Sequence, residues 1–543
     1  MRKKIAAAAL ACMLAVSMLV FAPLQPAQAA ASDFSDVPSD SWAVDVINSA
    51  VQDGLMQGMG GGVFGYNRTI TNAEFVTALC RMFSWNLVSP AQASFTDVGS
   101  GDWFYAYIET GVVHGVFDGG GKFSPGQPID RETMAVWLVR ALGYEDLAQQ
   151  AGQTNPPAFA DTADPDVTFA ASIGMVNGIG NGQFAPQNTA KREEAAAILV
   201  RIYDKLQIKT NWVNGFYAIS SYGQRSAISG MNAVTFGWSA MEWDAQNGAR
   251  LNTTAGAGNQ WCIPDSYELV ADAPRQAGAK ANMGVYMDAA MGLPSLLADA
   301  NARHAAVSEI VQEATRVYGA IGRSPYDGVT IDFEGLFAPS KSGFTAFVTE
   351  LSAALHNSGR SLYVTVQPVT TDGQYFNGYD YRAIGQAADK VILMAYDYQP
   401  LTLNGFVGTE WEKNTALTPI AEVYKALLAA VDPNTGVADT GKLALGVSYA
   451  SVGWKIDGSG KVADPNPVMP SLETVQQRMA QPDTVFGWSA AYRNPYIIYT
   501  TETGDRVFLW YENARSVGEK LTLANLFGVT GESVWRIGII PNF

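Results

Sequence analysis

The chain has 543 residues, 48% of them hydrophobic, and a formal net charge of −16, so it can form several globular domains and is not a disordered chain. The acidic balance excludes nonspecific nucleic-acid binding, which needs a basic surface. Three cysteines and three histidines without ligand-like spacing exclude a disulfide framework and a zinc site of the usual kind, and we expect no cofactor.

Residues 1–29 have the pattern of a signal peptide. Basic residues at positions 2–4 precede an apolar stretch from Ile5 to Phe21, and small residues flank the expected cleavage point after Ala29. No later stretch has about twenty consecutive apolar residues, so we expect no membrane anchor once the signal is removed. We therefore expect a secreted protein that something else holds at the cell surface. An uncleaved anchor is the alternative.

Three segments after the leader repeat one order of features. Each begins with Phe-x-Asp and passes through a helix-like stretch and a glycine-rich turn to a second helix. The second helices read ITNAEFVTALCR, IDRETMAVWLVR and AKREEAAAILVR, with an acidic residue near the start and apolar residues at helical spacing. This register predicts helix–turn–helix repeats over residues 32–86, 93–147 and 157–207.

These units resemble S-layer homology repeats, which anchor proteins to the walls of Gram-positive and related bacteria. The resemblance implies a pseudo-threefold helical bundle whose grooves bind secondary cell-wall polysaccharide through a basic residue and a nearby tryptophan. The matching positions are Arg131, Arg192, Trp42 and Trp103. Asn72 and Val167 depart from the pattern in the first and third repeats, so we expect the second groove to bind best. A spacer or an oligomerisation bundle is the alternative.

The charge of the repeats limits how they could bind such a polymer. Residues 30–205 carry 9 basic and 20 acidic side chains, and the polymer that the resemblance implies is itself acidic. Bulk attraction therefore cannot explain binding. An arginine in a pocket can, because its planar guanidinium makes a specific bidentate contact with a carboxylate.

Eight short apolar runs alternate with helical stretches over residues 212–543. In chain order they read GFYAIS, AVTFGWS, ANMGVYM, DGVTIDFE, LYVTVQPV, KVILMAYD, KLALGVSY and SVWRIG. The alternation favours parallel strands with crossover helices, and eight of them predict a closed TIM (β/α)8 barrel in an α/β domain. Catalytic residues of such barrels lie at the carboxyl ends of the strands.

The fourth run accumulates charge at its carboxyl end. Alternate residues of a strand share a face, which places Thr330, Asp332 and Glu334 together and opposite the apolar residues. Two carboxylates buried together are costly unless they share a proton or serve a substrate, and their repulsion keeps one protonated, as a general acid requires. A salt bridge to a core arginine is the alternative.

This run resembles the Asp-x-x-Asp-x-Asp-x-Glu signature of glycoside hydrolase family 18, read here as Asp327, Thr330, Asp332 and Glu334. The resemblance implies that Glu334 donates the proton and that Asp332 orients the 2-acetamido group of the substrate. The acetamido oxygen then attacks the anomeric carbon, and configuration is retained. Asp327 and Thr330 are assigned to substrate binding.

Two other runs extend the resemblance. Met394-Ala395-Tyr396-Asp397 matches the family's Met-x-Tyr-Asp, in which Tyr396 would hydrogen-bond the acetamido oxygen and Met394 and Asp397 would line the substrate site. Trp535 stands where the family has the tryptophan beneath the sugar. Core packing is the alternative for Tyr396 and Trp535.

Thr330 stands where most chitinases carry a second aspartate. A threonine can hydrogen-bond Asp332 but adds no charge, so we expect a weaker coupled titration and a shifted pH optimum. An uncharged residue here is typical of the spore-cortex and peptidoglycan N-acetylglucosaminidase branch, which favours peptidoglycan over chitin as the β-linked N-acetylglucosamine glycan. A non-catalytic lectin-like protein and a structural S-layer protein are the alternatives to an enzyme.

Residues 450–515, between the seventh and eighth runs, are too many for a barrel loop and are rich in aromatic residues. The segment Thr501–Asp505 reads as a hairpin turn between two apolar runs, which predicts an inserted substructure. It either walls one side of the substrate cleft or only stabilises the barrel.

Overall fold

The computed structural model describes residues 34–254, 261–368 and 376–542. The predicted signal peptide lies outside these ranges. Two compact units are present: residues 34–143 with 184–203, and residues 144–183 with 204–542. The third repeat therefore contributes to both units. Across the described ranges, no helix combines the length and the apolar character that crossing a membrane requires.

The predicted second helix of each repeat is present, and those of the first two repeats begin at a polar cap. The hydroxyl of Thr71 accepts a hydrogen bond from the Glu74 N–H, and the Glu74 carboxylate accepts one from the Thr71 N–H; Asp130 caps the next repeat's helix. The helices of residues 34–207 are α1 (Val44–Gln52), α2 (Asn72–Met82), α3 (Tyr105–Val113), α4 (Arg131–Ala141), α5 (Glu145–Gly152), α6 (Pro165–Ser172) and α7 (Arg192–Gln207).

A ring of backbone hydrogen bonds joins the three repeats in the first unit. The N–H of Ile70 donates to Ala190, that of Ala190 to Ile129, and that of Ile129 back to Ile70, each at 3.0 Å. The three residues occupy equivalent positions just before the second helices. The repeats are thus arranged around a pseudo-threefold axis, with each one held by its two neighbours.

The second unit is built on a closed barrel of eight parallel strands in the described chain, as the apolar runs predict. The strands β1, β2, β4, β5, β6, β7, β8 and β13 pair in that order, and β13 pairs with β1 to close the barrel. Their bounds are β1 (Trp212–Tyr217), β2 (Ala233–Asp244), β4 (Lys280–Met287), β5 (Gly328–Phe333), β6 (Ser361–Val366), β7 (Lys390–Leu393), β8 (Leu443–Ser448) and β13 (Gly531–Ile537).

Helices surround the barrel, and β3 (Gly248–Asn252) extends β2 as an antiparallel hairpin. The helices of this part are α8 (Glu268–Ala271), α9 (Ala273–Gln276), α10 (Leu293–Ala298), α11 (Ala300–Thr315), α12 (Lys341–Asn357), α13 (Tyr381–Ala387), α14 (Ile420–Ala430), α15 (Leu472–Met479) and α16 (Ala514–Leu526). From the third repeat, Phe169 stacks on Tyr424 of α14 with ring centroids 5.2 Å apart. This contact packs α6 on the outside of the barrel.

The predicted insertion is a four-stranded antiparallel sheet between β8 and β13. Its strands are ordered β10-β11-β12-β9, with bounds β9 (Val452–Ile456), β10 (Val485–Ser489), β11 (Asn494–Thr500) and β12 (Arg506–Trp510). Trp454, Phe508 and Trp510 are buried in one cluster that fills the core of this sheet. Aromatic residues in the insertion therefore include several that serve folding.

Candidate active site

The fourth barrel strand, β5, separates its polar and apolar residues onto two faces. Phe333 packs outward against Phe344 and Phe347 of α12, with ring centroids 6.1 and 5.1 Å away. On the other face Asp332 is buried inside the barrel. Glu334 follows the strand at its carboxyl end, where its N–H donates to the Met287 carbonyl at 2.9 Å. The strand period thus delivers both carboxyl groups to the barrel mouth.

Asp332 is held by a threonine from the next strand. Its Oδ1 accepts a hydrogen bond from the Thr365 hydroxyl at 2.7 Å. Burial raises the pKa of Asp332, and this hydrogen bond opposes the shift because it stabilises the carboxylate. Sequence reasoning missed Thr365, which sits on the inner face of β6 in a run that reads as ordinary apolar strand.

Thr330 does not make the expected hydrogen bond to Asp332 in the described structure. Its hydroxyl lies 2.9 Å from the Thr235 hydroxyl and accepts from Asn282 Nδ2 at 3.3 Å. Residues two apart on a strand are separated by about 6.6 Å along it, so Thr330 lies one layer deeper in the barrel. Thr330 thus belongs to a buried polar layer beneath the acids.

Glu334 lies in a group of carboxylates. Burial raises the pKa of Glu334 above its ordinary value of 4.5, and the negative charges of Asp332, Asp397 and Asp288 raise it further. A raised pKa keeps the carboxyl group protonated at higher pH. The arrangement therefore suits Glu334 to donate a proton and Asp332 to carry negative charge.

Tyr396 and its neighbours follow β7 at the same end of the barrel. Burial raises the pKa of Tyr396, and the charges of Asp397, Asp332 and Glu334 add to the effect, which places its hydroxyl among these acids. Gly446 on β8 leaves room for the ring, because a Cβ there would lie 2.7 Å from Cε1 of Tyr396. This corner of the barrel mouth therefore holds a protonated phenol beside carboxylates.

The two residues around Tyr396 in the motif differ in their surroundings. Met394 is buried, and its N–H donates to the Val366 carbonyl at 2.9 Å, so it supports the strand end. Asp397 has a positive φ of 60° and an exposed side chain. Asp397 can therefore contact a substrate directly, whereas Met394 lies behind the site.

A cavity of about 450 Å³ opens at the carboxyl ends of the strands. Trp535 and Asp332 line it, and the Trp535 ring meets Phe216 edge-on at 5.3 Å. Aromatic walls with a few placed polar groups suit a sugar ring. Within the described ranges, no three His, Cys, Asp or Glu side chains are grouped as ligands for a metal ion.

Tyr286 and Trp261 form a second aromatic wall that sequence reasoning missed. Their rings stack in parallel with centroids 4.5 Å apart, and both line the cavity. The Tyr286 hydroxyl donates to Asp288 Oδ2 at 3.1 Å. Tyr286 could have been found, because it lies at the carboxyl end of the third run. Trp261 lies outside the eight apolar runs, in the segment between β3 and α8, so no sequence pattern points to it.

Asp327 lies away from the cavity. Its Oδ2 accepts a hydrogen bond from the Ala281 N–H at 3.0 Å, at the amino ends of β4 and β5. Seven residues of extended strand span about 23 Å, so Asp327 and Glu334 are at opposite ends of the barrel. The structure therefore gives Asp327 a role in joining two strands, and it corrects the expectation that this residue contacts substrate.

The arginines of the repeats reach across to neighbouring repeats. Arg192 is buried, with Nε donating to the Phe64 carbonyl at 2.9 Å and Nη2 donating to the Gln57 carbonyl at 2.8 Å. Its Nη1 is also 3.4 Å from Glu74 Oε1. These contacts fix the guanidinium within the first unit.

The equivalent residues of the other repeats make the same kind of contact. Arg131 donates from Nε to the Phe184 carbonyl at 2.9 Å, and its guanidinium lies 4.6 Å from the centre of that ring. Asn72 donates from Nδ2 to the Phe123 carbonyl at 3.3 Å. Asn72 thus keeps the contact between repeats but not the positive charge.

One groove of about 240 Å³ in this unit is lined by Arg192, Trp103 and Glu74. Trp103 is 61% exposed, so its ring is available to a ligand. We expected Trp103 to act with Arg131 of its own repeat, but the structure places it with Arg192 of the third repeat. The reason is the interlocked ring of repeats, since this groove takes residues from all three of them. Trp42 is similarly exposed, at 60%.

Comparison with known families matches both units. Residues 288–538 match the model of glycosyl hydrolases family 18. Residues 33–76, 94–135 and 159–196 match the S-layer homology domain. The first match includes the carboxyl-end residues of β5, β7 and β13 described above.

Individual relatives match stretches of this chain that differ in length. The S-layer protein sap of Bacillus anthracis is 30% identical over 189 residues, which are 34% of this chain and 23% of that protein. The cortical fragment-lytic enzyme of Bacillus subtilis is 24% identical over 247 residues, 45% of this chain and 52% of that protein. A chitinase from Chromobacterium violaceum aligns with a TM-score of 0.48 and 21% identity, covering 61% of this chain and 95% of that one. The chain spans from about a tenth to about half of the length of the curated relatives it matches.

Proposed function

The chain carries a glycosyl hydrolases family 18 domain behind three S-layer homology domains, and from this we propose that it is a wall-associated enzyme that cleaves β-linked N-acetylglucosamine glycans. The observation that carries the proposal is the pair of carboxyl groups at the end of β5. Burial and neighbouring negative charges raise the pKa of Glu334, while Thr365 stabilises the charge of Asp332. Glu334 is thereby suited to donate a proton, and Asp332 is suited to orient a positively polarised group of the substrate.

In the proposed reaction Glu334 protonates the glycosidic oxygen as the bond to the leaving sugar breaks. The carbonyl oxygen of the substrate's own 2-acetamido group attacks the anomeric carbon and forms an oxazolinium intermediate. Asp332 accepts a hydrogen bond from the acetamido N–H and stabilises the positive charge, and Tyr396 donates a hydrogen bond to the acetamido oxygen. Glu334 then takes a proton from an incoming water as the water oxygen bonds to the anomeric carbon and the bond from that carbon to the acetamido oxygen breaks. The two displacements together retain the configuration.

The cavity supplies the binding that this reaction needs. Trp535 lies beneath the sugar ring, and the stacked pair of Trp261 and Tyr286 forms a wall. An aromatic face that packs against a sugar ring buries the apolar surface of that ring. This contact contributes to binding but does not select the substituents of the sugar. We propose peptidoglycan as the substrate in preference to chitin. The uncharged Thr330 and the resemblance to a cortical fragment-lytic enzyme support this preference.

The repeats are proposed to hold the enzyme at the bacterial cell wall by binding secondary cell-wall polysaccharide. Arg192, Trp103 and Glu74 in one groove support this proposal, because a fixed guanidinium beside an exposed aromatic ring suits an acidic sugar. By the symmetry of the ring, Trp42 would serve a second groove together with Arg131. We also propose that the protein is exported and that its source is a Gram-positive bacterium.

The experiment that tests this function is digestion of purified peptidoglycan and of chitin oligosaccharides, with mass analysis of the products. We expect cleavage after N-acetylglucosamine, with loss of turnover in Glu334→Gln and retention of glycan binding. Binding without turnover by the unaltered protein would instead indicate a lectin-like role. Turnover of chitin alone would reject peptidoglycan as the substrate.

A further inference from the structure

Arg536 places a guanidinium in the cavity beside the proposed sugar floor. It follows Trp535 on β13 and lines the same cavity as Trp535 and Asp332. Its Nη1 donates to the Ser220 hydroxyl at 2.8 Å. An arginine side chain has five N–H donors, so this contact leaves donors for a ligand.

Arg536 has no carboxylate partner among the residues that the structure describes. Two other cations of this unit have carboxylate partners: Arg493 lies 2.9 Å from Glu519, and the buried Lys520 lies 2.6 Å from Glu512. For Arg536, burial lowers the pKa and no nearby acid opposes the effect. A partly buried charge without a partner is costly, and a ligand with the opposite charge would remove that cost.

Arg536 and the catalytic carboxylates come from opposite walls of the barrel. Asp332 is on β5 and Arg536 is on β13, which lie four strands apart in either direction around the eight-stranded barrel. Both residues line the cavity. The cavity therefore has an acidic catalytic side and an opposite side that carries the Arg536 guanidinium.

We propose that Arg536 binds a carboxylate on the glycan and so selects an anionic, N-acetylated wall glycan over neutral chitin. Neutral chains of N-acetylglucosamine have no group that would pair with the guanidinium. Peptidoglycan has such groups, because alternate sugars carry a lactyl ether whose carboxyl group is either free or joined to a peptide. The planar fork of arginine fits a carboxylate bidentately. This inference rests on the proposed function and specifies its substrate class.

The test compares four substrates of equal length: peptide-free wall strands, the same strands with their carboxyl groups methyl-esterified, peptide-bearing strands, and chitin oligosaccharides. The variants are Arg536→Gln, Arg536→Lys and the control Arg316→Gln. Arg316 is exposed, pairs with Glu313 and follows α11 on the way to the amino end of β5. Arg316→Gln therefore removes one positive charge, as Arg536→Gln does, but at a position away from the cavity. Thermal melts check that each variant is folded.

Arg536→Gln is expected to lower kcat/KM on the carboxylate-bearing strands by about 10- to 100-fold, as for a lost charge-assisted contact. Esterified strands and chitin should change less than about twofold, and Arg536→Lys should be intermediate. If Arg536→Gln lowered kcat/KM only on the peptide-bearing strands, the carboxylate that Arg536 binds would be one of the peptide. Equal loss on charged and neutral substrates, or no loss at all, would overturn the inference.

Binding measurements in the Glu334→Gln background separate this inference from the proposed function. In that background, titration calorimetry should show that Arg536→Gln removes the preference for free over esterified strands. If the unaltered protein cleaves none of the four glycans, the proposed function fails, yet this binding preference still reports on Arg536. If it cleaves chitin and esterified strands as well as free strands, the function stands and the role of Arg536 fails.

Discussion

The Thr365 hydroxyl lies 2.7 Å from Oδ1 of Asp332 and donates to it across neighbouring barrel strands. This hydrogen bond favours the ionised form of Asp332, whereas the charges around Glu334 favour its protonated form. The two carboxyl groups are adjacent on one strand face, but their surroundings separate their protonation states. That separation is what a general acid working beside an ionised carboxylate requires.

Removal of the Thr365 donor should shift the acid limb of the pH–activity profile. Thr365→Val leaves the buried Asp332 carboxylate without its hydrogen bond, so the pKa of Asp332 rises and the active, ionised form is reached only at higher pH. We expect kcat to fall by about tenfold near neutral pH. The measurement is kcat/KM against pH. Thr365→Ser keeps the hydroxyl and should keep the profile; an unmoved limb in the valine variant would contradict this account.

Removal of a neighbouring charge should shift the basic limb in the opposite direction. Asp288 is one of the carboxylates that raise the pKa of Glu334, and it also caps a short turn through a bond that asparagine can keep. In Asp288→Asn the pKa of Glu334 falls, so its acid form is lost at lower pH. Asp439→Asn is the control, since Asp439 caps the turn before the amino end of β8. Similar shifts in both variants would count against a local charge effect.

Glu334→Gln should abolish turnover and stabilise the fold at alkaline pH. Loss of the general acid is expected to lower kcat by about 10³-fold. Because the folded-state pKa of Glu334 is raised above 4.5, its ionisation opposes folding increasingly as pH rises from that value through the folded pKa. The gain in Tm should therefore be larger at about pH 9 than at about pH 5. Calorimetry at both values is the measurement, and an equal gain would show that Glu334 titrates normally.

The interlocked repeats predict which substitutions act together in wall binding. Trp103 and Arg192 line one groove, so Trp103→Ala and Arg192→Lys should be non-additive in pelleting with purified walls, with a coupling energy of about 0.5 kcal/mol or more. Trp103→Ala and Arg131→Lys should be additive. Circular dichroism checks that the Arg192 variant keeps its helices. Coupling of Trp103 with Arg131 alone would mean that each repeat binds by itself.

Local patterns along the chain were enough to predict the helices and strands. Period-two alternation placed Asp332 and Glu334 on one face of β5, and eight apolar runs predicted the eight barrel strands. Capped, amphipathic patterns located the second helices of the repeats. These features depend on neighbours within a few residues of each other, and the periodicity of a helix or strand makes them readable along the chain.

Contacts between residues that are distant in sequence depend on how the whole chain folds. Closure of the barrel brings Thr365 to Asp332, leaves Asp327 at the far end and sets Arg536 beside the cavity. Closure of the ring of repeats puts Trp103 with Arg192 in place of Arg131. The physical reason is that strand pairing and interlocked repeats join residues far apart in sequence, and no local period carries their register.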